Sequence, residues 1–362
     1  MIYLYLVIII ILFLTIKYLL KKKPHRFWNN QPVSNNQSNE GIITINLPNP
    51  IEINYHTQII KSSPIDNSFR IFITDFLNKY YIKSYIFNIN NISWYLSYPH
   101  LKKNNVLNLK YKNNIIGNII SKPYALNINN KTIFTHYVDM LAVHKEYRNN
   151  NYAPILISHT VKESSDKDFR TFIFKKEDTS LPFNYICKCK YYILNIPDNI
   201  LNNNPTGIYS VGRTQPNDYE YIRKLYQNES IKYKCYPIFD KNQFEYIFSS
   251  YDNAYESLII HENGVKKGIV TYVINNVNDK NTKIAEIVLL LCEDIDYVDM
   301  IKSLIEYCNK ENVYNLLCVN IAKNRIFIDR MNFYSGMDVY FQMYNYHIKN
   351  RLNTNDMLFN FI

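Results

Sequence analysis

The feature that most constrains the fold of this 362-residue chain is an order of elements that occurs twice. The first copy predicts two strands around an Asn113-Asn114 turn, a long apolar strand, a helix and a strand, at 106–110, 115–121, 132–144, 153–162 and 171–174. The second copy repeats this order around an Asn263-Gly264 turn, at 256–261, 267–274, 283–292, 296–310 and 313–319. The sequence therefore predicts a duplicated α+β fold with mixed, mainly antiparallel sheets.

The N-terminus is mostly apolar and aromatic over residues 1–20, where Lys17 is the one charged residue, and three lysines follow at 21–23. About 20 apolar residues span a bilayer, and a basic flank remains on the cytosolic side. A signal peptide would need a basic segment before the apolar run and a small-residue cleavage site after it, and neither is present. We predict a single-pass membrane anchor at 1–20, with the rest of the chain in the cytosol.

The rest of the chain divides by composition and by the repeat. Residues 21–68 are predicted to be a basic flank, an arm and a linker, followed by a first half at 69–205 and a second half at 206–362. The net charge of +10 suits anionic partners such as phosphates, although it can also serve solubility alone. Six scattered cysteines lack the spacing of a zinc site, so we expect core thiols in a reducing compartment and no metal.

The two copies differ where the long strand meets the helix. In the first copy this junction contains Arg148 and the small polar run Asn149–Asn151, and the helix opens with Ala153-Pro154. Free N–H groups at a helix N-terminus bind phosphate, and an arginine adds a charged contact. The second junction, at 293–296, carries three carboxylates, which cap a helix and repel phosphate. Only the first half is expected to hold a phosphorylated ligand, unless the asparagines are merely a low-complexity loop.

The chain ends on an apolar run, Met357–Ile362, which predicts a buried final strand. Burial of this run would carry the terminal carboxylate inside, and a buried carboxylate is costly without compensation. One justification is catalysis, with the α-carboxylate of Ile362 acting as a general base. The alternative is that the run is simply the last core strand.

Several segments match the motifs of one known family. Residues 25–33, H-R-F-W-N-N-Q-P-V, resemble its arm Y-K-F-W-x-T-Q-P-V. Residues 140–145, M-L-A-V-H-K, with Arg148 and A-P-I-L-I at 153–157, resemble its F-L-C-V-H-K-x-L-R-S-K-R-x-A-P-V-L-I. The terminus at 357–362 also matches. Nearly the whole chain beyond the predicted anchor thus resembles eukaryotic-type glycylpeptide N-tetradecanoyltransferases (protein N-myristoyltransferases).

The resemblance implies two tandem acetyltransferase-like (GNAT-like) halves, the first for acyl-CoA and the second mainly for peptide. It implies myristoyl-CoA as the acyl donor and proteins with an N-terminal glycine as acceptors, with no prosthetic group, no metal and no nucleic acid. The residues that it implies for donor binding are Arg26, Phe27, Trp28, Leu141, Ala142, Val143, Arg148, Asn149, Asn150, Asn151, Tyr152 and Ala153.

The resemblance also implies a mechanism. The backbone N–H groups of Met140 and Leu141 would form an oxyanion hole for the thioester oxygen. The Ile362 carboxylate would deprotonate the glycine ammonium, and the amine would attack the thioester directly, without an acyl-enzyme. The residues implied for substrate binding are Tyr81, Asp139 and Tyr192.

The chain departs from the family pattern at several of these positions. Lys83 replaces an acidic residue of the family's peptide-binding loop, Asp139 replaces an asparagine, and Asn150 and Asn151 replace basic residues. These departures leave two alternatives to an active myristoyltransferase. One is a catalytically inactive descendant that binds acyl-CoA or membrane. The other is a different acyl- or aminoacyltransferase on the same tandem fold.

Overall fold

Both repeats contribute strands to one broad mixed sheet in the computed structural model of this chain. The structure describes residues 26–33, 39–81, 86–165, 168–197, 209–277 and 282–361. The strands are β1 Gly41–Ile42, β2 Thr57–Lys61, β3 Val106–Tyr111, β4 Asn114–Ile128, β5 Lys131–Val143, β6 Thr171–Glu177, β7 Cys187–Asn195, β8 Tyr209–Arg213, β9 Cys235–Ile238, β10 Tyr255–Glu262, β11 Val265–Val277, β12 Thr282–Cys292, β13 Val313–Val319, β14 Tyr334–Tyr344 and β15 Tyr346–His347.

The α-helices of the described residues cover the faces of this sheet. They are α1 Asn67–Tyr80, α2 Ile89–Leu96, α3 Tyr152–Ser164, α4 Tyr219–Ser230, α5 Lys241–Ile247, α6 Tyr297–Lys310 and α7 Arg325–Ile328. The helix α6 shows how the sequence specifies one of them. Its N-cap Asp296 accepts the Val298 N–H, and Ile301, Leu304, Ile305 and Cys308 are buried on one face.

The order of strands in the sheet explains how the two halves are joined. The order is β2-β3-β4-β5-β6-β14-β7-β13-β12-β11-β10-β8, and β9 pairs with β4. The strand β14 of the second half therefore lies between β6 and β7 of the first half, while β7 pairs with β13 of the second. Because the halves exchange strands along this seam, they form one continuous sheet.

The predicted duplication is confirmed. In each half an antiparallel meander, β3-β4-β5 or β10-β11-β12, is followed by a helix, α3 or α6, and by a strand that pairs in parallel with the meander's last strand. The long strands begin and end within a few residues of the predicted bounds. The fold is the predicted α+β class with a mixed, mainly antiparallel sheet.

The C-terminal run is buried as predicted, but it is not a strand of the sheet. Its side chains from Met357 to Phe361 are at most 2% exposed. The Leu358 N–H donates to Cys235 of β9, and the Asn360 N–H donates to Val288 of β12. Because these two bonds go to different strands, the segment links β9 to β12 instead of extending one ladder.

The predicted membrane anchor lies in a part of the chain that the structure does not describe. Residues 1–20 lie outside the described part of the chain, so the predicted anchor stays a prediction. Among the helices of the described ranges, none is long and apolar enough to cross a membrane. The boundary predicted at 205/206 also falls outside the described residues, between 197 and 209.

Candidate active site

A β-bulge in β5 creates the first unusual geometry. In the pairing of β4 with β5, Asn118 lies opposite Ala142 and Ile120 lies opposite Asp139, so Met140 and Leu141 share one partner position. Met140 has a φ of 53°, a left-handed conformation that a methionine rarely adopts. A bulge re-aims backbone groups and is common beside active sites. The two residues predicted to form an oxyanion hole therefore lie where the ladder is interrupted.

The Asp139 carboxylate is held at the same bulge. Its Oδ1 accepts the N–H of Met140 at 2.7 Å and the hydroxyl of Tyr81 at 2.6 Å. The structure thus brings together the predicted substrate-binding residues Tyr81 and Asp139. It also shows that the Met140 N–H is occupied by a neighbouring carboxylate.

The loop before α3 has the predicted features of an anion site. Asn149 and Asn151 have φ values of 66° and 61°, which asparagine tolerates better than most residues. Asn151 is the N-cap, yet its side chain makes no capping hydrogen bond. The Arg148 guanidinium donates to the carbonyls of Val143 and Tyr80, at 3.1 and 2.7 Å, and is thereby fixed beside the loop.

A cavity of about 800 Å³ extends from the bulge to this loop. Its volume is within the range of roughly 300–1,000 Å³ typical of ligand sites. The predicted residues that line it are Phe27, Trp28, Tyr81, Asp139, Leu141, Ala142, Val143, Arg148, Asn149, Asn151, Tyr152 and Ala153. Phe27 and Trp28 are buried against each other with ring centroids 4.8 Å apart, so the arm forms one wall.

A second cavity, of about 50 Å³, adjoins the first at Tyr137, Asp139 and Lys175, which line both. Its remaining walls are mostly aromatic and amide side chains from the two halves, including Trp94, Tyr95 and Asn275, together with Met140 and Glu286. This space holds only a few water molecules or one small polar group. We call it the acceptor pocket and the larger one the donor cavity.

A buried ion pair that the sequence analysis missed forms part of the acceptor pocket. Lys175 of β6 and Glu286 of β12 are 2.9 Å apart, with side chains only 5% and 4% exposed. Glu286 Oε1 also accepts from the Tyr191 hydroxyl at 3.0 Å and from Asn360 Nδ2 at 2.9 Å. The available signal was a charge inside each of two apolar strands, which is unusual unless the charge is paired.

Lys122 of β4 gives the same signal and was also missed. It is 1% exposed, and its Nζ lies 3.3 Å from the centroid of the Tyr95 ring. Burial lowers the pKa of this ammonium well below its usual value, and the Asp139 carboxylate partly offsets that effect. A lysine kept in such surroundings is a candidate for a functional role.

Four predicted site residues lie apart from the donor cavity. Arg26 and Asn150 are exposed and are not among the residues that line it, and Met140 lines only the acceptor pocket. Tyr192 lines neither cavity and packs against the core of the second half. Its neighbour Tyr191 instead bonds to Glu286, because successive side chains of a strand point to opposite faces.

The predicted base, Ile362, lies outside the described residues. The preceding residue, Phe361, is fully buried, and its carbonyl accepts a hydrogen bond of 3.4 Å from the Tyr137 hydroxyl. Tyr137 lines both cavities, so the end of the chain reaches the wall that they share. Within the described ranges, no three His, Cys, Asp or Glu side chains are grouped so as to hold a metal ion.

Comparisons with known sequences find one family of relatives. Residues 46–187 match the family model of the myristoyl-CoA:protein N-myristoyltransferase N-terminal domain. A protein of Amsacta moorei entomopoxvirus, provisionally named a glycylpeptide N-tetradecanoyltransferase, is 25% identical over 268 residues, 70% of this chain and 85% of the relative. The glycylpeptide N-tetradecanoyltransferase of Plasmodium falciparum is 24% identical over 202 residues, 49% of each chain.

Comparisons with solved structures agree on the fold. Saccharomyces cerevisiae N-myristoyltransferase with bound myristoyl-CoA has a TM-score of 0.80 at 16% identity, covering 91% of this chain and 94% of that one. A probable N-acyltransferase of unknown function from Enterococcus faecalis has a TM-score of 0.50 at 12% identity, covering 79% and 72%.

The family-model and sequence matches support an acyltransferase, and the structural match supports a fold of two acetyltransferase-like halves. The sequence matches narrow this class further. The chain resembles the glycylpeptide N-tetradecanoyltransferases, or protein N-myristoyltransferases, as a divergent relative whose match to the family model covers residues 46–187.

Proposed function

We propose that this protein transfers a myristoyl group from myristoyl-CoA to the N-terminal glycine amine of other proteins. The observation that carries the proposal is the meeting of the donor cavity with the acceptor pocket at Tyr137, Asp139 and Lys175. A transferase must bring an acyl donor and an amine together, away from water. A pocket of about 50 Å³ favours a glycine over any residue with a large side chain.

The donor would lie along the first half. The loop at Asn149–Asn151 and the start of α3 offer backbone N–H groups to the pyrophosphate, because the N-cap side chain does not occupy them. Arg148 adds positive charge there, and Arg26 would meet the 3′-phosphate. Phe27 and Trp28 would cover the bound donor, in keeping with their position in the cavity wall.

The thioester oxygen would be stabilised at the bulge, by the N–H groups of Met140 and Leu141. The Met140 N–H is occupied by Asp139 Oδ1, so it becomes available only when that carboxylate turns away. An arriving ammonium would attract Asp139, since a charged partner competes well against a neutral N–H. One oxyanion donor contributes roughly 3 kcal/mol to lowering a barrier.

The substrate amine arrives as an ammonium and must lose a proton before it attacks. We assign that proton to the terminal carboxylate of Ile362, which follows the buried Phe361 beside Tyr137. The C–N bond forms as the amine attacks the carbonyl, and the C–S bond breaks to release the CoA thiolate. A cysteine nucleophile is not needed, and all six thiols are buried.

The first experiment uses the full-length chain in detergent, myristoyl-CoA and a panel of peptides that begin with glycine. We expect a myristoyl amide by mass spectrometry. Adding one alanine after Ile362 should reduce the rate at least 100-fold, because a positioned base typically contributes that much or more. Retained acyl-CoA binding in the extended variant would show that the fold survived. Full activity after the extension would contradict the assignment of the base.

A second candidate function is that of a non-catalytic descendant that binds acyl-CoA. It is favoured by one observation, the occupation of the Met140 N–H by Asp139. The two functions differ in the same assay, because the descendant would bind acyl-CoA tightly and give no product on any peptide. A transferase with another acyl specificity would instead prefer a different chain length over myristoyl-CoA.

We further propose that residues 1–20 anchor the enzyme in a membrane, with the catalytic halves facing the cytosol. A single myristoyl chain gives only marginal membrane binding, so release of product at a membrane would favour its insertion. Deletion of residues 1–23 should move the protein from the membrane fraction to the supernatant of lysed cells. An unchanged distribution would contradict the anchor.

A further inference from the structure

Lys175 of β6 lies at the point where the donor cavity and the acceptor pocket meet. Together with Tyr137 and Asp139, it is one of the three residues that line both. Among the described residues that line the acceptor pocket, it is the only cation. An acyl group must cross this boundary to reach an amine in the acceptor pocket, so a charge held here lies beside the reacting atoms.

The strand register places this lysine next to the β-bulge. The strands β5 and β6 pair in parallel up to Val138 and Phe174, and Asp139 and Lys175 are the next residues of the two strands. Equivalent residues of neighbouring strands point to the same face of a sheet, and both of these side chains line the acceptor pocket. Met140, whose N–H belongs to the predicted oxyanion hole, follows Asp139 directly. The ammonium is therefore carried by the strand that borders the bulge.

A buried carboxylate fixes the position of the ammonium. Its Nζ donates to Glu286 Oε1 at 2.9 Å and lies 5.3 Å from the centroid of the Tyr191 ring. The same Glu286 oxygen accepts from the Tyr191 hydroxyl and from Asn360 Nδ2, which hold it in place. An ammonium has three N–H donors, and the bond to Glu286 uses one of them. Lys175 can therefore donate to a ligand without leaving its partner.

The occupied state of the bulge makes such a donor useful. Asp139 Oδ1 accepts the Met140 N–H at 2.7 Å, and its negative charge opposes the formation of an oxyanion nearby. A charged donor stabilises an oxyanion more strongly than a neutral N–H, and it needs no movement of Asp139. The two carboxylates of the pocket, Asp139 and Glu286, still outweigh the single ammonium, so the pocket continues to attract the substrate amine in its charged form.

We propose that Lys175 is a further catalytic residue, whose ammonium donates to the thioester oxygen and stabilises the oxyanion that forms when the glycine amine attacks. The proton stays on Lys175 throughout. The C–N bond forms as an electron pair of the carbonyl group moves to oxygen, and the pair returns as the C–S bond breaks and the CoA thiolate leaves. The inference rests on the proposed function for its chemistry, and it requires the cation itself and not merely the ion pair.

The test removes the cation without leaving a buried charge unpaired. In full-length protein in detergent, Lys175→Met/Glu286→Gln makes both partners neutral, whereas Glu286→Gln alone keeps the ammonium. Because one oxyanion donor contributes about 10²–10³ to kcat, we expect kcat of the double variant to fall about 100-fold or more, with unchanged acyl-CoA binding. The kcat of Glu286→Gln should exceed that of the double variant by about tenfold or more. A pair with a structural role alone would give both variants the same kcat.

The matched control is Lys266→Met. Lys266 is also paired with a buried carboxylate, that of Asp218 at 2.6 Å, but it lines neither cavity. This control should keep the kcat of the unmodified protein. If the methionine variant does not fold, Lys175→Gln/Glu286→Gln replaces it with a pair of neutral amides. A double variant that binds acyl-CoA and keeps kcat within about threefold of the unmodified protein would overturn the inference.

A second readout needs no transfer. The carbonyl stretching band of bound myristoyl-CoA, identified by a ¹³C label at the thioester carbon, reports the hydrogen bonds to the thioester oxygen. Without peptide, we expect this infrared band at lower wavenumber in the unmodified and Lys266→Met proteins than in Lys175→Met/Glu286→Gln. The same band position in all three would overturn the inference. Absence of product from the unmodified protein with every peptide would overturn only the proposed function.

Discussion

The two junctions between a long strand and the following helix have the same place in the duplicated fold and opposite chemistry. In the first half, Asn151 adopts a left-handed conformation at the start of α3 and makes no side-chain cap. In the second half, Asp296 caps α6 by accepting the Val298 N–H at 2.7 Å and also pairs with Arg330. One helix N-terminus is available to an anion, while the other is already satisfied.

This difference shows how a duplicated fold divides its work. The open junction borders the donor cavity, while the capped junction borders neither that cavity nor the acceptor pocket. The second half instead supplies Glu286, Asn275 and the terminal segment to the acceptor side. The halves are equivalent in topology and distinct in the groups that they present, which is why function must be argued from sites and not from fold.

The largest expected effect concerns the seam at which the halves meet. Glu286→Gln would leave the buried Lys175 ammonium without its carboxylate, and breaking such a pair typically costs about 3–5 kcal/mol. Urea unfolding should show this loss. The matched change Asp329→Asn, in the exposed pair with Arg325, should have little effect. Equal losses of unfolding free energy in the two variants would mean that the buried ion pair stabilises the protein no more than the exposed one.

Two glycines at corresponding positions of the two meanders allow the packing of the halves to be compared through the free energy of unfolding. Gly117 of β4 and Gly268 of β11 lie opposite the last residues of β5 and β12. A Cβ at Gly268 would be 2.8 Å from the Leu291 carbonyl oxygen, whereas at Gly117 it would be 2.8 Å from the Leu156 Cδ1, a side-chain end that can rotate. Thermal unfolding should show that Gly268→Ala loses about 1–3 kcal/mol. Gly117→Ala should lose less, and the reverse order would contradict the packing argument.

The contrast between the two junctions can be tested by adding a carboxylate to the first junction and removing one from the second. Asn151→Asp places a carboxylate at the α3 N-terminus, where it should compete with phosphate and weaken acyl-CoA binding about tenfold. Asp296→Ala in the second half should cost about 1 kcal/mol of stability through the lost cap and leave acyl-CoA binding unchanged. Calorimetric titration with acyl-CoA measures the first effect. If both variants bind acyl-CoA normally, the α3 N-terminus is not the phosphate site.

The smallest effect is expected from thiol modification, because we predict that the cysteines of both halves do not react in the native protein. Burial raises the pKa of Cys235 and of Cys308 to about 12, so little thiolate exists at pH 8. Native protein treated with iodoacetamide should remain unlabelled by mass spectrometry and keep its transferase activity, whereas unfolded protein should be labelled. Loss of activity on labelling of one cysteine would instead indicate that this cysteine acts as a nucleophile.

The fold could be read from the sequence to the extent that its signals are local. The alternation and turns of the meanders predicted β3-β4-β5 and β10-β11-β12, and the apolar face of α6 follows from its own spacing. The exchange of β14 and β7 across the seam had no such signal, because strand pairing between distant segments leaves no pattern within either segment. The terminal run was predicted as a strand for the same reason, and its bonds divide between β9 and β12.

The candidate site divides in the same way. The sequence by itself predicted the asparagine loop before α3, the aromatic arm and the buried terminus, because each depends on residue types that are adjacent in the chain. Only the tertiary structure decided that Asp139 occupies the Met140 N–H, that Tyr191 and not Tyr192 bonds to Glu286, and that Lys122 lies over the Tyr95 ring. These contacts join strands far apart in sequence, and a buried charge reveals its role only when its partners are known.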